Sequence, residues 1–231
     1  MAELIVALDV SSTQEVERIV DRLGDAVSFY KIGLELFSAE GPDVVKAVKR
    51  RGKKVFLDLK LHDIPRTVER AVKSGAALGV DLMTLHAAGG KAMIRAAKDA
   101  ALACGPKAPK ILAVTVLTSL DQSDLADLGV TRDMKAQVEA LGRLACSNGA
   151  DGIVCSPKEV AAMRAALGPA ALLVTPGVRP AGAAVGDQKR VATPGQAVKD
   201  GSTHLVVGRP ILEAADPCAA ALAIAVEMAG A

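Results

Sequence analysis

"VFLDLKLHDIPRTVE", residues 55–69, begins as a strand of alternating side chains and ends at a proline placed to open a helix. Proline suits the first helical position because its missing N–H is one of the donors that a helix start leaves unpaired. The stretch therefore reads as one β-then-α unit. Similar units recur along the chain, with strands expected at "LIVALDV" (4–10), "FYKIGL" (29–34), "KVFLDLK" (54–60), "DLMTLHA" (81–87), "KILAVTVL" (110–117), "GIVCS" (152–156), "ALLVTPG" (171–177) and "HLVVGR" (204–209). Helix starts are signalled by Ser12 with Glu15, by "SPKE" (156–159) and by "TPGQ" (193–196), which set a capping side chain ahead of an acidic or amide residue. Eight such units with no Pro/Gly/Ser-rich linker predict a (β/α)8 TIM barrel, a single domain over 1–231; an open doubly wound sheet is the alternative.

In a barrel of this kind the chemistry sits at the C-terminal ends of the strands. The polar residues expected there are Asp9, Lys31, Asp58, Lys60, His86, Thr118, Arg179, Gly208 and Arg209. Any one of them alone is equally a strand's exit to solvent. Within 55–61, alternation puts Val55, Leu57, Leu59 and Leu61 on the face toward the helices, and Phe56, Asp58 and Lys60 on the face toward the barrel axis. Asp58 and Lys60 are then same-face neighbours about 7 Å apart at their Cα atoms. Asp63 lies just beyond, before the Ile64-Pro65 turn. A salt bridge that plugs the barrel end is one reading. Against it, buried ion pairs contribute little net stability, so charges gathered here suit another use. Neighbouring negative charge favours an ammonium over a free amine. Such a lysine is a poor nucleophile but is fitted to stabilise a carbanion and then protonate it.

The totals exclude several classes. The chain has 231 residues, 51% hydrophobic and 23% charged, a formal net charge of +2 and 2% aromatics. That balance argues against nucleic-acid binding, which calls for a basic face or stacking aromatics. No apolar run approaches the ~18 residues of a membrane span, and "MAELIVALDV" has no basic segment of the kind that begins a signal peptide. Cys104, Cys146, Cys155 and Cys218 are widely spaced and read as buried, reduced thiols of a cytoplasmic protein. His62, His86 and His204 lack the spacing of a helical zinc motif, so no metal site is supported.

"DLKLHDIPRT" (58–67) resembles the D-x-K-x-x-D-I-P-x-T signature of the orotidine 5′-phosphate decarboxylase family. The resemblance runs in order through "ALDV" (7–10), "YKIGLEL" (30–36), "VTVLTS" (114–119), "TPGVRP" (175–180), "DQKRVATP" (187–194) and "VVGRPI" (206–211). The D-x-K-x-x-D core alone is shared with sugar-phosphate decarboxylases and synthases of the same superfamily; the Ile-Pro-x-Thr continuation and the Gln-Lys-Arg segment favour the orotidylate enzymes. One departure is Arg66, where many members have Asn; it follows Asp63 rather than replacing it.

The resemblance implies conversion of orotidine 5′-phosphate to uridine 5′-phosphate in pyrimidine synthesis, with no metal or cofactor, in a homodimer. By similarity Lys31, Asp58, Lys60 and Asp63 form an alternating charge network, and Lys60 protonates C6 while Asp58 faces the departing carboxylate. Asp9 and Lys31 would hold ribose hydroxyls, with Asp63, Ile64 and Thr67 at the substrate and Asp63 and Thr67 reaching the neighbouring subunit's site. Arg209 and the Gly208 and Arg209 amides would take the phosphate, joined by Arg179 and Gln188 as the 177–190 loop closes. Thr118 is the expected pyrimidine contact, with Ser119 and Ser123 as rivals. His86 would order the neighbouring charges. Two other readings compete: a magnesium-dependent phosphosugar decarboxylase or synthase, and a barrel that binds nucleotide phosphate without turnover.

Overall fold

In a computed structural model, residues 2–180 and 192–231 are described. Eight parallel strands close into a barrel in chain order: β1 (Glu3–Ala7), β2 (Phe29–Gly33), β3 (Lys54–Leu61), β4 (Leu82–His86), β5 (Lys110–Val114), β6 (Gly152–Val154), β7 (Leu172–Pro176) and β8 (His204–Val207), with β8 pairing back onto β1. Parallel neighbours need a long crossover, and helices such as Thr13–Leu23, Pro65–Ala77, Gly90–Leu102 and Met134–Cys146 supply it. The chain is a (β/α)8 barrel, and the open sheet is excluded by the β1–β8 pairing.

Alternation along the strands builds two apolar layers. Inward-facing Ile5, Ala7, Phe29, Phe56, Leu82, Leu112, Val174 and Val206 fill the barrel. Their outward neighbours, among them Val6, Tyr30, Val55, Leu57, Met83, Ile153 and Leu205, pack under the helices. The two faces expected for β3 are therefore the observed ones. Gly152 shows how tightly the strands approach: a Cβ there would run into the Leu172 carbonyl.

Most strands end earlier than their apolar runs. Asp9 lies two residues past β1, and Thr118, Arg179 and Gly208 lie past β5, β7 and β8. Pairing decides this. The last paired residues of β1 and β5 are Ala7, opposite Lys31, and Val114, opposite Val154, and beyond them the backbone turns into the barrel mouth, as at Gly208 with ψ −100. Asp9, Gly208 and Arg209 thus sit past the strands they were expected to end, whereas Asp58 and Lys60 lie within β3 and His86 ends β4 as expected. Only Cys155 of the four cysteines is buried; Cys104 is exposed because it follows the helix Gly90–Leu102 into a surface turn.

The helix signals hold. Ser12 Oγ accepts the Glu15 N–H at 3.3 Å, and Thr193 Oγ1 accepts that of Gln196 at 3.3 Å. Ser156 N–H donates to the Glu159 carboxylate at 2.9 Å. At the other end of the barrel a polar residue just before one strand ties down the start of the strand before it. Asp81 accepts the Val55 N–H (2.8 Å) and Lys49 Nζ (2.9 Å); Asp151 accepts the Ile111 N–H (2.9 Å) and Lys98 Nζ (2.8 Å); Thr203 Oγ1 accepts the Leu173 N–H (2.9 Å). These bonds fix the floor and leave the opposite face to chemistry.

His204 belongs to that floor. It meets Phe29 edge-on at 6.1 Å, with Lys54 over the other aromatic ring and Glu3 nearby. Burial holds its pKa below 6.5; Glu3 opposes this and Lys54 reinforces it. The unfolded chain therefore binds more protons than the folded one as pH falls through about 6.5, and stability must decline there. We expect His204→Gln to flatten the fall in urea midpoint between about pH 7 and 5. An unchanged slope would show that His204 does not contribute. The carboxylates of Asp21, Glu40, Asp43 and Glu69, held low mainly by hydrogen bonds to neighbouring side chains, act only at more acid pH.

Candidate active site

The barrel mouth holds a cavity of about 250 Å³. Its floor is apolar, formed by Ala7, Phe56, Val114, Val154 and Val206, the upper rung of the barrel interior. One wall carries Asp9, Lys31, Asp58 and Lys60; across from it are Leu117, Thr118, Gly177 and Arg179, with Gly208 and Arg209 beside them. An apolar floor with a few converging charges suits a small, polar, planar ligand.

Two ion pairs order the charged wall. Lys60 Nζ lies 2.7 Å from Asp58 Oδ2, and Lys31 Nζ lies 3.0 Å from Asp9 Oδ1. Asp58 is buried, while Lys60 keeps about a third of its side chain exposed toward the cavity. The backbone here is unusual. Lys60 has φ +51 and is the one non-glycine residue with positive φ among the described residues, a conformation disfavoured by its Cβ. Local strain of this sort costs on the order of 1–3 kcal/mol and clusters at functional sites. The β3–β4 register runs Phe56↔Leu82, Leu57↔Met83, then Leu61↔Leu85, so Asp58, Leu59 and Lys60 stand opposite Thr84 alone. The buried Thr84 hydroxyl accepts the Lys60 N–H (2.9 Å) and donates to Asp58 Oδ1 (2.8 Å).

Small residues keep the mouth open. A Cβ on Gly33 would sit 3.0 Å from Lys31 Nζ, and one on Gly208 would sit 3.3 Å from Asp9 Oδ2 and 3.4 Å from the Ala7 Cβ. Gly33 and Thr84 were not singled out from the sequence. For Thr84 a signal existed: it shares parity with Leu82, an inward residue, so a polar side chain there had to face the barrel.

Two guanidiniums converge on the opposite side. Arg179 is largely buried, and burial followed by the nearby charge of Arg209 lowers its pKa. Its side chain donates to the Val178 carbonyl at 2.9 Å, while its backbone N–H donates to the Ala192 carbonyl at 3.0 Å. Arg209 opens the short helix Arg209–Leu212 directly after Gly208. Two like charges in one cavity wall favour an anion between them.

The remaining candidates divide. Thr118 lines the cavity. Ser123 is committed to the helix Gln122–Asp127, its N–H and Oγ both donating to Asp121 Oδ1 (3.0 and 2.6 Å), and Ser119 is not among the lining residues. Asp63 is exposed and its carboxylate accepts the Ile64 N–H at 2.6 Å; residues 62–67, which include Ile64, Arg66 and Thr67, are all exposed and none lines the cavity. Within one subunit the described ion pairs at the site are Lys31 with Asp9 and Lys60 with Asp58. His86 meets His62 at 5.3 Å between centroids with the rings tilted by 36°, does not line the cavity, and burial, then His62 and Lys60, hold its pKa low. Gln188 and most of the 177–190 loop lie outside the described residues.

The sequence matches the model of the Orotidine 5'-phosphate decarboxylase / HUMPS family over residues 2–224. It is 51% identical to the orotidine 5'-phosphate decarboxylase of Moorella thermoacetica over 98% of this chain and 92% of that protein. Identity to the protein of the same name from Anaeromyxobacter sp. (strain K) is 55%, covering 96% of each. Among solved structures, orotidine 5'-phosphate decarboxylase from Lactobacillus acidophilus superposes with a TM-score of 0.90 at 43% identity, covering 99% of both chains.

Proposed function

The chain belongs to the orotidine 5′-phosphate decarboxylase / HUMPS family, and from that premise we propose how its cavity carries the reaction. It is a carboxy-lyase that decarboxylates orotidine 5′-phosphate to uridine 5′-phosphate. The pyrimidine lies on the apolar floor with its carboxylate toward Asp58 and Lys60. The bond from C6 to the carboxylate carbon breaks, carbon dioxide leaves, and the electron pair stays on C6. The Lys60 ammonium stabilises that pair and then transfers a proton to C6, and the neutral amine is reprotonated from solvent. Its attraction grows as charge concentrates on C6, so it acts on the transition state more than on the substrate. Asp58 opposes the substrate carboxylate and holds Lys60 at C6. The observation that carries this reading is the 2.7 Å Asp58–Lys60 pair in the wall of a cavity with an apolar floor.

The rest of the substrate follows the wall. Asp9 and Lys31, already paired, bind ribose hydroxyls, and Thr118 reads the pyrimidine from the opposite side. Phosphate sits between Arg179 and Arg209 at the Gly208 and Arg209 amides, with Gln188 added from the loop. The 231 residues act as one domain in the cytoplasm, and the reaction calls for no metal or cofactor.

The functional unit is a homodimer in which Asp63, Ile64 and Thr67 of one subunit meet the substrate of the other. Support comes from their exposure away from their own cavity, and from Leu34 and Ile64, apolar yet 59% and 66% exposed just past the C-terminal ends of adjacent strands. Mixing refolded Lys60→Ala and Asp63→Ala proteins, each inactive alone, should restore roughly a quarter of wild-type activity through mixed dimers with one intact site. No recovery would place Asp63 in its own subunit's chemistry or outside it.

The reaction itself is tested by ultraviolet absorbance of orotidine 5′-phosphate with the purified protein in excess chelator. Loss of the orotidylate band with stoichiometric carbon dioxide is the expected result. An unchanged band, together with magnesium-dependent turnover of a phosphosugar, would move the chain to the other branch of its family. Tight binding of uridine 5′-phosphate with no turnover of either would mark a binding barrel.

A further inference from the structure

We propose that Thr84 is a positioning residue for the decarboxylation, because its hydroxyl joins the backbone of Lys60 to the carboxylate of Asp58. The inference rests on Lys60 being the proton donor.

Hydrogen-bond direction is fixed by chemistry. The Lys60 backbone N–H can only donate, so Thr84 Oγ1 accepts it at 2.9 Å, and the hydroxyl proton is left for Asp58 Oδ1 at 2.8 Å. Asp58 Oδ2 takes the Lys60 ammonium at 2.7 Å. The result is a closed circuit: Lys60 N–H, Thr84 hydroxyl, Asp58 carboxylate, Lys60 Nζ. Both carboxylate oxygens are committed, which fixes the Asp58 rotamer, and the ammonium is held from both ends of its own residue.

The circuit explains a backbone that propensity does not. Where Asp58, Leu59 and Lys60 bulge opposite Thr84, the β3–β4 register shifts. The Lys60 N–H takes the Thr84 side chain as its acceptor, and Lys60 adopts φ +51 with its Cβ in place. A buried N–H left without a partner is unfavourable, so loss of the hydroxyl would release the bulge toward ordinary strand geometry. Lys60 would then move relative to C6. Thr84 is 1% exposed and does not line the cavity, so it does not touch the substrate. Its effect must fall on the chemical step rather than on binding.

Thr84→Val keeps shape and removes the hydroxyl; Thr84→Ser keeps the hydroxyl and removes the methyl. The valine variant should lower kcat about 100-fold, as for a reacting group displaced by about 1 Å, with KM and uridine 5′-phosphate affinity within about threefold of wild type. The serine variant should keep kcat within about threefold. If Thr84→Val does not fold, Thr84→Ala removes the same hydroxyl without an added methyl and should show the same split. A kcat near wild type in the hydroxyl-free variant would overturn the inference. So would a serine variant as impaired as the valine one, or ligand affinity that falls in step with kcat. Wild type and Lys60→Ala run alongside separate the cases: an inactive wild type removes the decarboxylase reading, and an active Lys60→Ala removes the role of Lys60.

Discussion

Lys60→Ala is expected to lose at least about 1,000-fold in kcat, the upper part of the range for a positioned general acid, because the same group also stabilises the carbanion. The loss should appear with little change in uridine 5′-phosphate affinity, since the product carries no charge at C6. Lys60→Arg should not rescue: the guanidinium keeps the charge but gives up its proton far less readily. Steady-state kinetics and product titration on the same preparations check this. If kcat of Lys60→Ala fell less than tenfold, the proton would have to come from elsewhere, and His86 does not line the cavity.

Arg209→Ala should raise KM roughly 100-fold, in line with the loss of charge-assisted hydrogen bonds to a phosphate. Orotidine without its phosphate should lose more in kcat/KM, because it forgoes the Arg179, Arg209 and amide contacts together. The two arginines are also coupled. Arg209 lies near enough to disfavour the charge on Arg179, and both would face one phosphate. The double variant Arg179→Ala/Arg209→Ala should therefore cost less than the sum of the single costs, a non-additivity expected of neighbours that share one partner. Equal kcat/KM for orotidine and its phosphate would remove the phosphate from this end of the site.

How far the sequence carried the reading differs from residue to residue. The barrel was legible because each β-then-α unit states itself locally: period-two alternation in Val55–Leu61, a proline at 65, capping side chains at 12 and 193. Inward and outward faces followed, with Phe56 inside and Leu57 under the helices. The ends of β1, β5, β6 and β8 were not legible. The apolar runs around Asp9 and Thr118 continue past the last paired residue, and pairing with a neighbour is not encoded in either strand alone. The bulge at Lys60 was invisible for the same reason. Nothing in "DLKL" asks for a positive φ; the demand comes from Thr84, on another strand. The charged residues of the site were legible through a family motif, but how they pair was not. Lys31 meets Asp9 because β1 and β2 set Ala7 beside Lys31, and Asp9 follows two residues on. Gly33 and Gly208 were hidden in a different way: their value lies in the Lys31 and Asp9 side chains that occupy the space a Cβ would take.

The proposed reaction turns on an electron pair at C6 held against Lys60. By microscopic reversibility, the neutral Lys60 amine must also take the C6 proton from bound uridine 5′-phosphate. The direct measurement is proton NMR of uridine 5′-phosphate in deuterated buffer containing the protein and excess chelator. The H6 signal should fade with wild type, faster than in buffer alone, and persist with Lys60→Ala. Equal fading with both proteins, or none beyond the buffer rate with wild type, would contradict it.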